Sequence, residues 1–184
     1  MKNYIIQYKS FLIFLLKFFF SYLILTLLYQ LYLTSFDGSA LEVDTITQQV
    51  SVQTEQTIKF FQYNSHLEPH PKQNSVMLFV EEKFVARVVE GCNAISVIIL
   101  FIAFVIAFKG NWKRTLVFIL LGSILIYVLN VIRIALIAIA LYRYPQHEHL
   151  LHGVLFPLFI YGVVFLLWVV WVNKFSVYAV RKEE

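Results

Sequence analysis

The sequence predicts an all-α polytopic membrane protein, with about four transmembrane helices and a small extracytoplasmic cap of α/β or β structure. Three observations lead there. Of 184 residues, 60% are hydrophobic and 14% charged, with a mean hydropathy of +0.73; a water-exposed domain of this size cannot hide so much apolar surface. The apolar residues gather in long runs. The Lys and Arg residues behind the net charge of +4 flank those runs, so membrane topology explains them and nucleic acid is not expected as a partner.

Residues 1–35 hold the first helix. Its apolar run, Phe11 to Leu33, is interrupted only by Lys17. About 20 residues suffice to cross a bilayer. The run is too long for a signal-peptide core, and the bulky "LLYQLYLTSF" is a poor cleavage site. Lys17 can snorkel to the interface.

Residues 36–90 are different in kind and read as the cap. "DGSA" (37–40) is a turn signal, and "HLEPHPKQNS" places two prolines in a loop. "SVMLFVEEKFVARVVEG" reads as a short strand or hairpin around "EEK". A segment of this length is marginal as an independent domain, so it should lie on the membrane bundle.

Residues 91–173 supply three more apolar runs, Ala94 to Phe108, Leu116 to Leu141 and His152 to Val172. The first is short, and spans only if residues 91–93 already lie at membrane depth. Residues 174–184 form a tail. Lys2, Lys9 and Lys17, then Lys109, Lys113 and Arg114, then Lys174, Arg181 and Lys182 fall on one side if there are four spans. The segment between the first two groups carries eight acids against four bases. Both termini are therefore expected in the cytoplasm, with the cap and the loop at 142–153 outside.

Cys92 is the only cysteine, so neither an intrachain disulfide nor a multi-Cys metal site is open to the chain. It sits in "EGCNAI", at the outer mouth of the second run, where Gly91 permits a tight turn. A helix start there would favour thiolate and could stabilise an oxyanion. The plainer reading is a small packed thiol. Arg133 in "NVIRIALI" tips the balance. It lies about 27 Å along its helix from Thr115, near the outer hydrocarbon edge, with Asn130 on the same face. A cation at that depth marks function unless it snorkels to phosphate. His147, His149 and His152 cluster in the next outer loop, and one of them could serve the thiol as base. Glu148 is the one nearby carboxylate, so no metal set is evident. His66 and His70 flank prolines and are expected in solvent. Asn130 and Asn93, beside the Arg and the Cys, are candidate substrate-binding residues, and no cofactor is expected.

A Cys at a helix start, "N-x-x-R" in the next helix and His at the start of the last, here "EGCNAI", "NVIRIALI" and "HLLHGVLFP", resembles the exosortase/archaeosortase family of membrane transpeptidases, most of all its compact F-type branch of Bacteroidetes. The resemblance covers about residues 90–171, in a chain with fewer spans than the usual eight or so. It implies an enzyme of the inner membrane, with its active site facing outward. The enzyme would cut a C-terminal signal of short motif, transmembrane helix and basic cluster, then pass the protein to a surface polysaccharide or lipid acceptor. Carried over, Cys92 is the nucleophile and Arg133 the oxyanion or substrate-binding cation. "HLLHG" matches His149, whereas "LHGVLF" matches His152; His152, one residue from the apolar run, is slightly favoured as base. Two rival classes remain: a membrane chaperone that holds a partner's helix without chemistry, and a small transporter built on Arg133.

Overall fold

The computed structural model describes residues 8–36, 43–108 and 110–175, excluding the side chains of His152 and Phe156. The 37–40 turn, Lys2, Lys109, Arg181 and Lys182 lie outside the described residues. The long apolar runs form helices α1 (Lys9–Thr34), α3 (Ile95–Ala107), α4 (Trp112–Arg143) and α5 (Phe156–Val170), and α2 (Thr45–Phe60) lies in the cap. Three stretches are long and apolar enough to cross a membrane: Lys9–Thr34, Trp112–Arg143 and Pro145–Phe175. The expected count of four is met by length in three helices only; the fourth, α3, completes a crossing only with the turn before it, residues 91–93, at membrane depth. Its 13 residues rise about 20 Å, against the roughly 30 Å of a hydrocarbon core. The chain is a multi-pass membrane protein.

The bundle packs in two places. α3, α4 and α5 meet around Phe101, Val105, Ile126, Ile160, Val164 and Trp171. α1 lies against α3 through Tyr29 and Leu33 on Ile99, and through Phe14, whose ring centroid is 4.7 Å from that of Phe108. Gly122 makes the α3–α4 contact possible: a Cβ there would stand 2.3 Å from Phe101 Cζ.

The cap comprises α2 and an antiparallel sheet in the order β1 (Ser65–Pro69), β2 (Val76–Val80), β3 (Lys83–Val88). The expected hairpin is present. Val80 pairs with Lys83, and both turn residues between them, Glu81 and Glu82, have positive φ (49° and 61°), the twist that suits a two-residue hairpin loop. "HLEPHPKQNS" is not all loop, since its first half forms most of β1. His66 therefore sits in a strand and stacks on Phe79, at 4.6 Å between centroids. Pro69 is tolerated there because β1 is an edge strand.

α2 begins at Asp44, whose carboxylate accepts from the Ile46 and Thr47 amides, both at 3.0 Å, the usual N-cap arrangement. Its buried residues, Thr47, Val50, Ser51, Thr54 and Ile58, recur at helical spacing. Val50 packs with Val76, Val88, Val131 and Ile134. Ile58 packs with Leu78, Val80, Ala135 and Ala138. The cap thus rests on the second half of α4. That helix has 32 residues, about 48 Å of rise, and outreaches a bilayer core.

Candidate active site

Between β3 and α3 the chain makes one 3-10 turn, Glu90–Cys92. The Cys92 amide donates to the Val89 carbonyl at 2.8 Å. Cys92 therefore lies three residues ahead of α3, in the turn before the helix and not within its first turn. The left-handed residue of the turn is Ala94 (φ 64°), not Gly91. A Cβ-bearing residue held there costs about 1–2 kcal/mol, so the surroundings must hold it.

Two asparagines do so. Asn130 on α4 donates through Nδ2 to the Cys92 carbonyl at 2.7 Å. Its Oδ1 accepts from Arg133 Nη2, also at 2.7 Å. One amide, 0% exposed, thus ties the Cys92 backbone to the cation one helical turn along. The spacing of three puts Asn130 and Arg133 on one face of α4, which is why "N-x-x-R" works as a unit. Arg133 is buried and lies within electrostatic range of Cys92 and of Tyr161 on α5. The thiol itself is half-buried and packs against the Val50–Val131 cluster where the cap meets α4.

Asn93 faces the opposite way. It is 1% exposed; its Nδ2 donates to Tyr29 Oη at 2.8 Å and to Thr47 Oγ1 at 3.1 Å, and its Oδ1 accepts from the Ile95 amide at 2.9 Å. All its partners are internal. Tyr29, Thr47, Asp44 and Tyr161 were not among the residues singled out from the sequence. An Asp followed three residues later by Thr, before a helical spacing of small polar residues, was the available signal for two of them.

The histidine segment begins at a 3-10 turn, Pro145–His147, and one α-turn, Glu148–Leu150. A π-helical stretch, Leu151–Leu155, then leads into α5. His149 is exposed and lies over its own segment: a Cβ on Gly153 would be 3.9 Å from its Cε1. The structure therefore joins Cys92, Asn130 and Arg133, and does not join His149 to them by a hydrogen bond among the described residues. The His152 backbone lies in the π-helical stretch, and its side chain is outside the described residues.

Such an arrangement can do chemistry at an acyl carbon: a thiol beside a buried cation, with the backbone between them held by a hydrogen bond. The model of the transmembrane exosortase family (Exosortase_EpsH) matches residues 6–172. Neither a curated protein nor a solved structure matches the chain. The family match runs from the first span through the last, over every element that holds the Cys92 turn, and the chain accordingly belongs to the transmembrane exosortase family.

Proposed function

We propose that this chain is a cysteine transpeptidase of exosortase type. It removes a C-terminal sorting signal of short motif, transmembrane helix and basic cluster, and transfers the protein to a surface polysaccharide or lipid acceptor. The observation that carries the proposal is the unbroken link from the Cys92 carbonyl through Asn130 to Arg133. A substrate helix anchored in the bilayer presents its preceding motif near the level where α3 gives way to the Cys92 turn.

The Cys92 thiolate attacks the scissile carbonyl carbon, and the carbonyl oxygen takes the negative charge beside the Arg133 guanidinium. The C–N bond breaks, the amine leaves with a proton from a histidine, and a thioester remains on Cys92. An acceptor hydroxyl or amine then attacks the thioester, gives its proton to the histidine and releases the thiolate. His152 is the favoured base, because His149 is exposed and turned toward its own segment. The active site faces outward from the inner membrane, with both termini in the cytoplasm, as the Lys and Arg distribution supports.

The test is co-expression with a protein of the same genome that ends in motif, helix and basic cluster. Its shortened form is followed by immunoblot. Cys92→Ala, Arg133→Ala and His152→Ala should each abolish shortening, since residues that act as one unit fail together. His149→Ala should retain part of it. Normal shortening with Cys92→Ala would end the transpeptidase proposal and favour a chaperone that holds a partner's helix.

A further inference from the structure

The Cys92 turn is held from a second side by residues that no catalytic role requires. Thr47 gives its hydroxyl hydrogen to Asp44 Oδ2, which leaves a Thr47 lone pair for Asn93 Nδ2 at 3.1 Å. The other Nδ2 hydrogen serves Tyr29 at 2.8 Å. Asn93 Oδ1 takes the Ile95 amide, a donor that the first turn of a helix otherwise leaves open. The residue next to Cys92 is thus bonded to α1, to the cap and to the start of α3 at once. Asp44, Thr47 and Asn93 are all buried, where an unmet polar group is costly. Directly after Asn93 comes the left-handed Ala94, a conformation that persists only when its neighbours determine it.

We infer that the Asp44–Thr47–Asn93–Tyr29 chain keeps the Cys92 turn in register with Arg133, which makes Thr47 and Tyr29 positioning residues for the thiol although neither touches it. The inference rests on Cys92 as the reacting group of the proposed function. Its physical content is simple. Asn130 holds the turn to α4 through the Cys92 carbonyl. The Asn93 bonds hold the same turn to α1 and α2. Freeing one side lets the turn relax from its strained form, and the thiol then moves relative to a cation fixed on α4.

Because the chain has a single cysteine, alkylation by N-ethylmaleimide reports on Cys92 alone. The rate is measured on the detergent-purified full chain at neutral pH by intact mass. Arg133→Gln should slow alkylation by removing the positive charge that Asn130 holds in register with the Cys92 turn. Thr47→Val, which keeps the shape and loses the hydroxyl, should slow it several-fold, up to about tenfold, as expected for one buried hydrogen bond. The double variant should be no slower than the slower single one, because both changes act through one register. Thr47→Ser should restore the parental rate. A parental rate in Thr47→Val, an equal loss in Thr47→Ser, or additive effects in the double variant would each overturn the inference. Should Thr47→Val not fold, Tyr29→Phe breaks the other branch and carries the same expectations. A Thr47-dependent thiol together with Cys92-independent substrate shortening would leave the positioning intact and overturn only the transpeptidase proposal.

Discussion

Gly122→Ala adds one methyl group at the tightest point of the bundle. The new Cβ would lie 2.3 Å from Phe101 Cζ and 2.7 Å from Cε1. The ring must retreat by about 1.1 Å to reach even a 3.4 Å contact. Phe101 is fully buried and packs beside Phe118 at 5.9 Å, so α3 must move with it. Overpacking of this kind costs about 3 kcal/mol at the upper end of its range, and the gain of Ala over Gly in a helix returns about 1 kcal/mol. The net loss is about 2 kcal/mol, or about 4–8 °C in melting temperature for a chain of this size. Gly162→Ala on α5 is the control: its Cβ meets nothing within 4 Å, so the helix-propensity gain stands alone. The displacement also reaches the site. The Cys92 turn precedes α3 and Asn130 rides on α4, so a shift of about 1 Å lengthens their 2.7 Å bond, and substrate shortening should fall about a hundredfold. Thermal unfolding in detergent and the shortening assay together check both effects. Phe101→Leu in the Gly122→Ala background should recover part of each. Equal melting temperatures for the two glycine variants would refute the close approach of α3 and α4.

Asn130→Ala should lower substrate shortening by at least about tenfold, because it strips a hydrogen bond from the half-buried Cys92 carbonyl and another from the buried Arg133. Asn130→Asp should not rescue it, since a carboxylate cannot donate to that carbonyl; parental activity in Asn130→Asp would remove the bridging role. Asp44→Ala should destabilise the cap by about 1–2 kcal/mol through loss of the N-cap, seen as faster limited proteolysis within 45–60, and unchanged cleavage would contradict the capping. Reporter fusions after Gly38 and after Lys109 should read opposite sides of the membrane. The same side for both would remove α3 as a crossing, and with it the four-span arrangement and the convergence of the Cys92 turn with the histidine loop.

The first span and α4 were legible because their runs are long and apolar: Phe11 to Leu33 became Lys9–Thr34, and Leu116 to Leu141 became Trp112–Arg143. The pairing of Cys92 with Arg133 was legible too, since rise per residue along two neighbouring helices brings them to one level. α2 was hidden by chemistry. Three of its five buried residues are Thr47, Ser51 and Thr54, so only Val50 and Ile58 mark its inward face as apolar. It is fastened in part by hydroxyls, as when Thr47 Oγ1 accepts from Asn93 Nδ2 at 3.1 Å. Ala94 was hidden for another reason. Nothing in "GCNAI" marks alanine for a left-handed conformation that glycine or asparagine ordinarily takes. The bonds made by Asn93 and Asn130, to segments far apart in sequence, select it.

The π-helical stretch Leu151–Leu155 separates two angular settings along one continuous helix. A π-turn accommodates roughly one residue more than an α-turn, so everything before it is rotated by about 100° relative to a regular continuation of α5. Face assignments by steps of three and four do not carry across it. The packing of Ile160 and Val164 into the bundle is thereby insulated from the phase of the histidine segment. Deleting one residue in 151–155 would restore a plain α-helix, leave the bundle seated and turn His147 and His149 to a new bearing. The fold thus contains a place where a single insertion or deletion can change the bearing of the loop before it without repacking the bundle behind it.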